Sequence, residues 1–321
     1  MIPTLSFGAN HRARHGIRAA VKTTVSSALL ALTLVLAPVV PAHAAPNPAA
    51  PQCGGRPATL VGSPGTKLLE GTPGPDVVVT EGAGRVNTGD GDDVVCVTGT
   101  TADGKRMILD AGTGNDAVTV TARNGVRVLL GDGDDTFVGG SETDAVLAGY
   151  FDDGPIDTGV DTIHTGAGPD NVRSWGGDDT ISLGKGADWL EWGPATSPAD
   201  GGRGRDRMFV YSGVDDSVLD NRTGTLVQDG QVVSRWSSFA DFEISGSVAL
   251  VVGSGADEKF APARHATTSS GWTIRAGGGD DVMLGTTGDD TLLGGPGQDR
   301  ADGRRGFDHC VVERREHCER R

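Results

Sequence analysis

The chain has 321 residues and a formal charge of −15, with 51 glycines and only 5% aromatic residues. An acid excess of that size argues against nucleic acid and anionic lipid as partners and favours bound cations. So much glycine with so few aromatic residues suits a disordered chain, unless the glycines hold fixed geometric positions.

In chain order, residues 1–44 have the form of an export signal. Arg12, Arg14, Arg18 and Lys22 precede an apolar stretch from Ala28 to Val40, which leads to the small-residue site Ala42-His43-Ala44. The apolar run is short and broken by Pro38, which disfavours a membrane anchor. No later segment is apolar enough to span a bilayer, so the expectation is a secreted, extracellular protein with no membrane insertion. Its mature chain would start near Ala45. Removing the four positive charges of the signal moves the formal charge from −15 to −19.

Residues 45–61 read as a Pro- and Ala-rich tether and N-terminal cap. A block of nine-residue units follows over 62–209. Its first unit, GSPGTKLLE, has Lys67 at position 6, and GTPGPDVVV then places Asp76 there. Asp93, Asp116 and Asp135 follow at steps of 17, 23 and 19 residues. The unit around Gly139 keeps Asp144 in register but has Glu142 in a glycine slot. Regular units then supply Asp161, Asp170, Asp179 and Asp188, and after one silent unit Asp206. Residues 210–275 change character. Only Asp257 echoes the repeat, β-branched runs dominate, and Asp229-Gly230 signals a hairpin. This stretch is expected to be a degenerate, metal-poor β spacer. Residues 276–311 repeat one pattern as AGGGDDVML, GTTGDDTLL, GGPGQDRAD and GRRGFDHCV, placing Asp281, Asp290, Asp299 and Asp308 nine residues apart. Residues 312–321 form a charged tail.

A period of nine with Gly at position 4 and Asp at position 6 is too short for a helical repeat and matches a parallel β-solenoid. The class is therefore all-β: a right-handed parallel β-roll with two repeats per coil. Each unit divides into a six-residue turn and a three-residue strand. Glycine at positions 1, 2 and 4 permits positive φ at low steric cost. Units 18 residues apart then stack, which pairs Asp161 with Asp179, Asp170 with Asp188, Asp188 with Asp206, Asp281 with Asp299 and Asp290 with Asp308. Asp76 with Asp93 and Asp116 with Asp135 depart from that spacing by one residue.

Turn carbonyls and aspartate carboxylates are the hard oxygen donors that calcium takes six to eight at a time. Several calcium ions are expected, held by Asp76, Asp93, Asp116, Asp135, Asp161, Asp170, Asp179, Asp188, Asp206, Asp281, Asp290, Asp299 and Asp308. Position 8 supplies the core, from Val78 to Cys310. With about one core side chain per strand, at roughly 1.5–3 kcal/mol each, burial cannot offset the backbone entropy of a coil, about 1–2 kcal/mol per residue. Folding and metal binding are then expected to be one event. The four cysteines, Cys53, Cys96, Cys310 and Cys318, allow three disulfide connectivities, of which local closure favours Cys53 with Cys96 and Cys310 with Cys318.

These motifs resemble the RTX, or haemolysin-type, calcium-binding repeat family over nearly all of residues 62–311. The early Cys53 before ATLVG at 58–62, and the late pair Cys310 and Cys318, are similar to the framing of secreted repeat-only proteins from high-GC bacteria. The resemblance implies a parallel β-roll with calcium in its turns, used outside the cell as a folding switch, a stalk or an adhesive surface. A surface glycan or other cell-surface component is the partner class it suggests.

No catalytic residue is assigned. Acid pairs such as Asp92-Asp93, Asp134-Asp135 and Asp178-Asp179 are explained by the repeat. His164, His265 and His309 lack a nucleophile context. Trp175 and Trp192 read as plugs of an irregular coil ahead of a sugar platform. The function expected is non-enzymatic: calcium-ion binding in an extracellular structural or adhesive protein. The alternative is a polysaccharide-acting β-helix enzyme, a lyase or epimerase, for which Arg203, Arg205 and Arg207 are the candidate uronate-handling cations.

Overall fold

A computed structural model describes residues 50–149, 158–193, 195–212, 217–264 and 270–319. The expected signal at 1–44, the start of the tether and His265 lie outside these residues. Among the described residues there is no helix, and two long sheets dominate, one of 15 strands and one of 13. The C-terminal units show how they are built. Strands Thr273–Arg275, Thr291–Leu293 and His309–Val311 enter the 15-stranded sheet, while Val282–Leu284 and Arg300–Asp302 enter the 13-stranded sheet. The chain alternates between sheets every nine residues, and pairing within each sheet is parallel at 18-residue spacing. This is the expected β-roll with two nonapeptides per coil.

Each strand occupies positions 7 to 9 of its unit, and the residue at position 8 points between the sheets. Val78, Val95, Val118, Phe137, Ile163, Val172, Ile181, Leu190, Met208, Met283, Leu292, Ala301 and Cys310 are all buried. The β-branched and aliphatic residues suit a narrow pleated strand, and single-side burial leaves positions 7 and 9 to solvent.

Glycine acts in two different ways in the turns. Positions 2 and 4 take positive φ, as at Gly279 (φ 105°), where a Cβ would lie 2.5 Å from the Ala256 backbone of the preceding coil. Position 1 does not need positive φ. At Gly294 a Cβ would sit 2.1 Å from Asp299 Oδ2, so the missing side chain leaves room for the carboxylate of its own unit. That corrects the expectation of positive φ at all three glycine positions.

Parallel stacking continues across the described part of residues 210–275. In the 13-stranded sheet, Arg207–Tyr211 pairs in parallel with Asp241–Ser245, then Lys259–Pro262, then Val282–Leu284. The 15-stranded sheet takes up the extra residues as antiparallel strands: Ser217–Asp220, Thr225–Gln228 and Gln231–Ser237. Asp229 and Gly230, both at positive φ, close the second hairpin. The core thickens here with Trp236, Phe242, Phe260 and Trp272, and the Phe242 and Phe260 rings stack at 5.5 Å.

Disulfides Cys53–Cys96 and Cys310–Cys318 staple the two ends, with Cα separations of 5.5 and 5.8 Å. The first ties a short antiparallel hairpin, Gln52–Cys53 with Arg56–Pro57, to the 15-stranded sheet. At the other end Arg314–Glu316 adds a final parallel strand beside Arg300–Asp302, so the charged C-terminal residues complete a coil.

Candidate metal centre

The position-6 aspartates form two columns, one at the turn leading into each sheet. Apart from Asp76, whose Oδ1 accepts from the Thr59 hydroxyl at 2.9 Å, each carboxylate accepts a backbone N–H from the coil before it through Oδ1. In the first column Asp93 accepts from Asp76 at 2.7 Å, Asp116 from Asp93 at 2.8 Å, Asp135 from Asp116 at 2.7 Å, Asp161 from Asp135 at 2.9 Å and Asp179 from Asp161 at 2.8 Å. In the second, Asp170 accepts from Asp144, Asp188 from Asp170, and Asp206 from Asp188, at 2.7 to 2.9 Å. Asp299 accepts from Asp281 and Asp308 from Asp290 in the C-terminal block. All the 18-residue pairs expected from the sequence are joined in this way. The columns also bridge steps of 23 and 26 residues, which the nine-residue count had left unpaired.

At several of these aspartates Oδ1 is spent in this way and Oδ2 has no donor. Oδ2 of Asp116, Asp188, Asp206, Asp281, Asp299 and Asp308 is buried and accepts no hydrogen bond. A buried, unsatisfied anionic oxygen is among the most costly groups a fold can hold. A ladder of them is intelligible only with a positive partner. The donor set is all oxygen, carboxylate plus turn carbonyls, and in the units of Asp206, Asp299 and Asp308 the glycine at position 1 keeps space open beside Oδ2. Calcium fits that chemistry, and zinc, with its nitrogen and sulfur ligands, does not.

Other columnar aspartates differ. Asp76 Oδ2 accepts from the Thr72 backbone N–H at 2.7 Å, Asp290 Oδ2 from the Thr286 N–H at 2.7 Å, Asp144 Oδ2 from the Gly140 N–H at 3.4 Å, and Asp179 Oδ2 from the Ser174 hydroxyl. Protein donors meet part of their demand.

The carboxylates feel one another's charge and their own burial. Burial is the main cause that pushes Asp116 up to about 8, Asp170 and Asp281 to about 7, and Asp144 and Asp188 to about 6. The backbone N–H donors oppose this, and neighbouring carboxylates add to it, as Asp135 and Asp93 do at Asp116. Asp93, Asp206, Asp290, Asp299 and Asp308 are raised for the same leading reason.

Several columnar residues were not among the expected metal ligands. Asp144 occupies its slot although Glu142 replaces the expected glycine. Position 6 of the Asp257 unit is Glu258, which stands one residue later and donates its N–H to Asp281 Oδ1 at 2.9 Å. Its carboxylate is satisfied by protein donors, the Asn221 amide and the Ser254 N–H. Glu313 and Glu319 close the two columns, accepting from Asp299 and Asp308. Asp257 itself belongs to a second, exposed ladder at position 5, which runs the opposite way. Asp257 accepts from the Asp280 N–H, Asp280 from Gln298 and Asp289 from Phe307, at 2.7 to 2.8 Å. The Asp-Asp doublets therefore staple each coil to both neighbours.

Sheets and columns together define a calcium-type nonapeptide β-roll. The family model for the RTX calcium-binding nonapeptide repeat (4 copies) matches residues 128–149, 156–190 and 275–310. Over these residues the chain carries RTX calcium-binding nonapeptide repeats, which makes it a calcium-binding repeat protein. The units carrying Asp76, Asp93, Asp116 and Asp206 lie outside the matched residues yet share the same geometry. No curated protein matches the chain.

Because the folded, metal-free carboxylates hold protons up to about pH 6–8 while unfolded ones release them near their ordinary value of 3.8, folding without metal takes up protons. Stability of the metal-free chain should therefore fall as pH rises from 5 to 8, while calcium affinity rises over the same range. Urea melts in calcium-free buffer, paired with calcium titrations, check both signs. Asp281→Asn keeps the Oδ1 acceptor and removes the charge, so it should weaken calcium binding at its site about tenfold, or about 1.4 kcal/mol. Asp280→Asn, on the exposed ladder, should leave calorimetric calcium binding unchanged.

Proposed function

We infer that the chain is exported unfolded, folds on meeting calcium, and serves outside the cell as a structural or adhesive solenoid. The observation that carries this reading is the ladder of buried Oδ2 atoms without donors. Inside a cell, where calcium is scarce, such a ladder opposes stacking. Outside, where calcium is plentiful, the same ladder drives it. Export is supported by the basic, apolar and small-residue segments of 1–44, and by two disulfides suited to an oxidising compartment. No described helix is long and apolar enough to cross a membrane. RTX repeats are a structural calcium-binding type, and that supports a non-enzymatic role.

The lyase or epimerase reading loses support at the residues it needed. Arg205 is paired with Asp241 at 2.6 Å and Arg207 with Glu243 at 3.4 Å, so both staple coils. Trp192 is buried, and Trp175 packs edge-on against Tyr211, their centroids 6.4 Å apart. These contacts suit a plug at the start of the hairpin region.

Circular dichroism of the mature chain should show little β structure after exhaustive chelation and a cooperative gain at millimolar calcium. An unchanged spectrum on chelation would contradict calcium-dependent folding.

A further inference from the structure

The two sheets present different outer faces. Along the 15-stranded sheet Thr136, Thr162 and Thr180 share one outward row, as do Thr273 and Thr291, and the row also holds Arg235 and His309. Along the 13-stranded sheet the corresponding row carries Arg85, Arg127, Arg207, Lys259, Arg300 and Arg314, with Asp241 as its acid. The other outward row of the same sheet carries Asp110, Glu191, Glu243, Asp302 and Glu316 beside Arg173, so the face as a whole is mixed, and positive charge is in excess only where cations of the first row lack an acid partner.

The face is also concave. A groove of about 700 Å³ is lined by Lys105, Arg106, Ile108, Arg127, Leu147 and Arg173. Its acid, Asp170, belongs to the buried column. Neither Arg106 nor Arg127 has a carboxylate at salt-bridge distance among the described residues, and both are exposed. A second groove, about 490 Å³, shares Arg173 and continues past Trp189 and Phe209 to Arg264. The acids beside it are engaged: Glu191 with Arg173 at 3.1 Å and Glu243 with Arg207 at 3.4 Å. Basic side chains thus lead into an aromatic floor along the solenoid axis.

We propose that this face binds a linear anionic polysaccharide, a uronate-bearing chain laid across the strands. Strands recur about every 4.8 Å, comparable to the length of one pyranose unit, so successive coils offer successive sugars similar contacts. Arg106 and Arg127 meet carboxylates, for which guanidinium groups are shaped. Trp189 and Phe209 offer apolar surface to the C–H faces of sugar rings. A nucleic acid fits less well, because its charge density, one per about 1.7 Å of duplex, would meet the acidic turns on either side. The proposal rests on the calcium-locked solenoid, since Arg106, Arg127 and Arg173 meet only when coils stack.

Affinity electrophoresis of the full mature chain in calcium, through gels holding hyaluronate, tests it. Hyaluronate is a uronate polymer that does not gel with calcium. Dextran and single-stranded DNA serve as comparisons, and β content is recorded on the same samples. Hyaluronate should retard the wild type and dextran should not. Arg106→Ser with Arg127→Ser should weaken retention at least tenfold while leaving the calcium-induced β signal unchanged. No retention of a calcium-folded wild type, equal retention of the double variant, or stronger retention by DNA would each overturn the proposal. If β structure proves independent of calcium while retention still depends on Arg106 and Arg127, the folding reading fails and the groove stands.

Discussion

The fold depends on what happens between carboxylates stacked one coil apart. At a strand spacing of about 4.8 Å, two unit charges repel by about 3 kcal/mol even at an effective dielectric constant of about 20. Aspartates inside a run, such as Asp116 and Asp188, have such neighbours on both sides and offer one oxygen to the backbone of the preceding coil. The staple that orders the turn therefore concentrates the charge that would unstack it. A divalent cation beside the second oxygen would reverse the sign of that term, and on the proposed reading the same residues oppose stacking without metal and drive it with metal.

The hairpin region shows what a coil needs when this device is interrupted. Glu258 takes the aspartate slot, and its carboxylate is met by the Asn221 amide and the Ser254 N–H. Trp272 occupies another such slot and donates its N–H to Asp290 Oδ1 at 2.6 Å. Around them Trp236, Phe242 and Phe260 bury far more apolar surface than the single valine or alanine of an ordinary unit. Protein donors and aromatic burial here do the work assigned elsewhere to calcium, and the 13-stranded sheet passes through in parallel register.

The nine-residue period made the architecture, the core positions and most of the columns legible. Met283 and Leu292 are buried for the same reason that Asp281 and Asp290 recur: strand and turn divide each unit at a fixed place. Counting failed where the chain is longer than its period. Asp93 meets Asp116, and Asp144 meets Asp170, because stapling to the neighbouring N–H sets the register, and extra residues loop out at small entropic cost. Glu258 was missed because Asp257, one residue earlier, carries the expected side chain on the outer ladder. The basic groove was invisible for a different reason. Arg106, Arg127 and Arg173 are far apart in sequence, and only stacked coils bring them to one face.

Hydrogen exchange at the position-6 amides tests the central claim most directly, because those N–H groups bond to the carboxylates in question. With calcium, the amides of Asp93, Asp116, Asp170, Asp188 and Asp281 should be protected together. Without it they should exchange at rates near those of an unfolded chain. Equal protection in both conditions would show that the columns stand without metal, and would contradict the account.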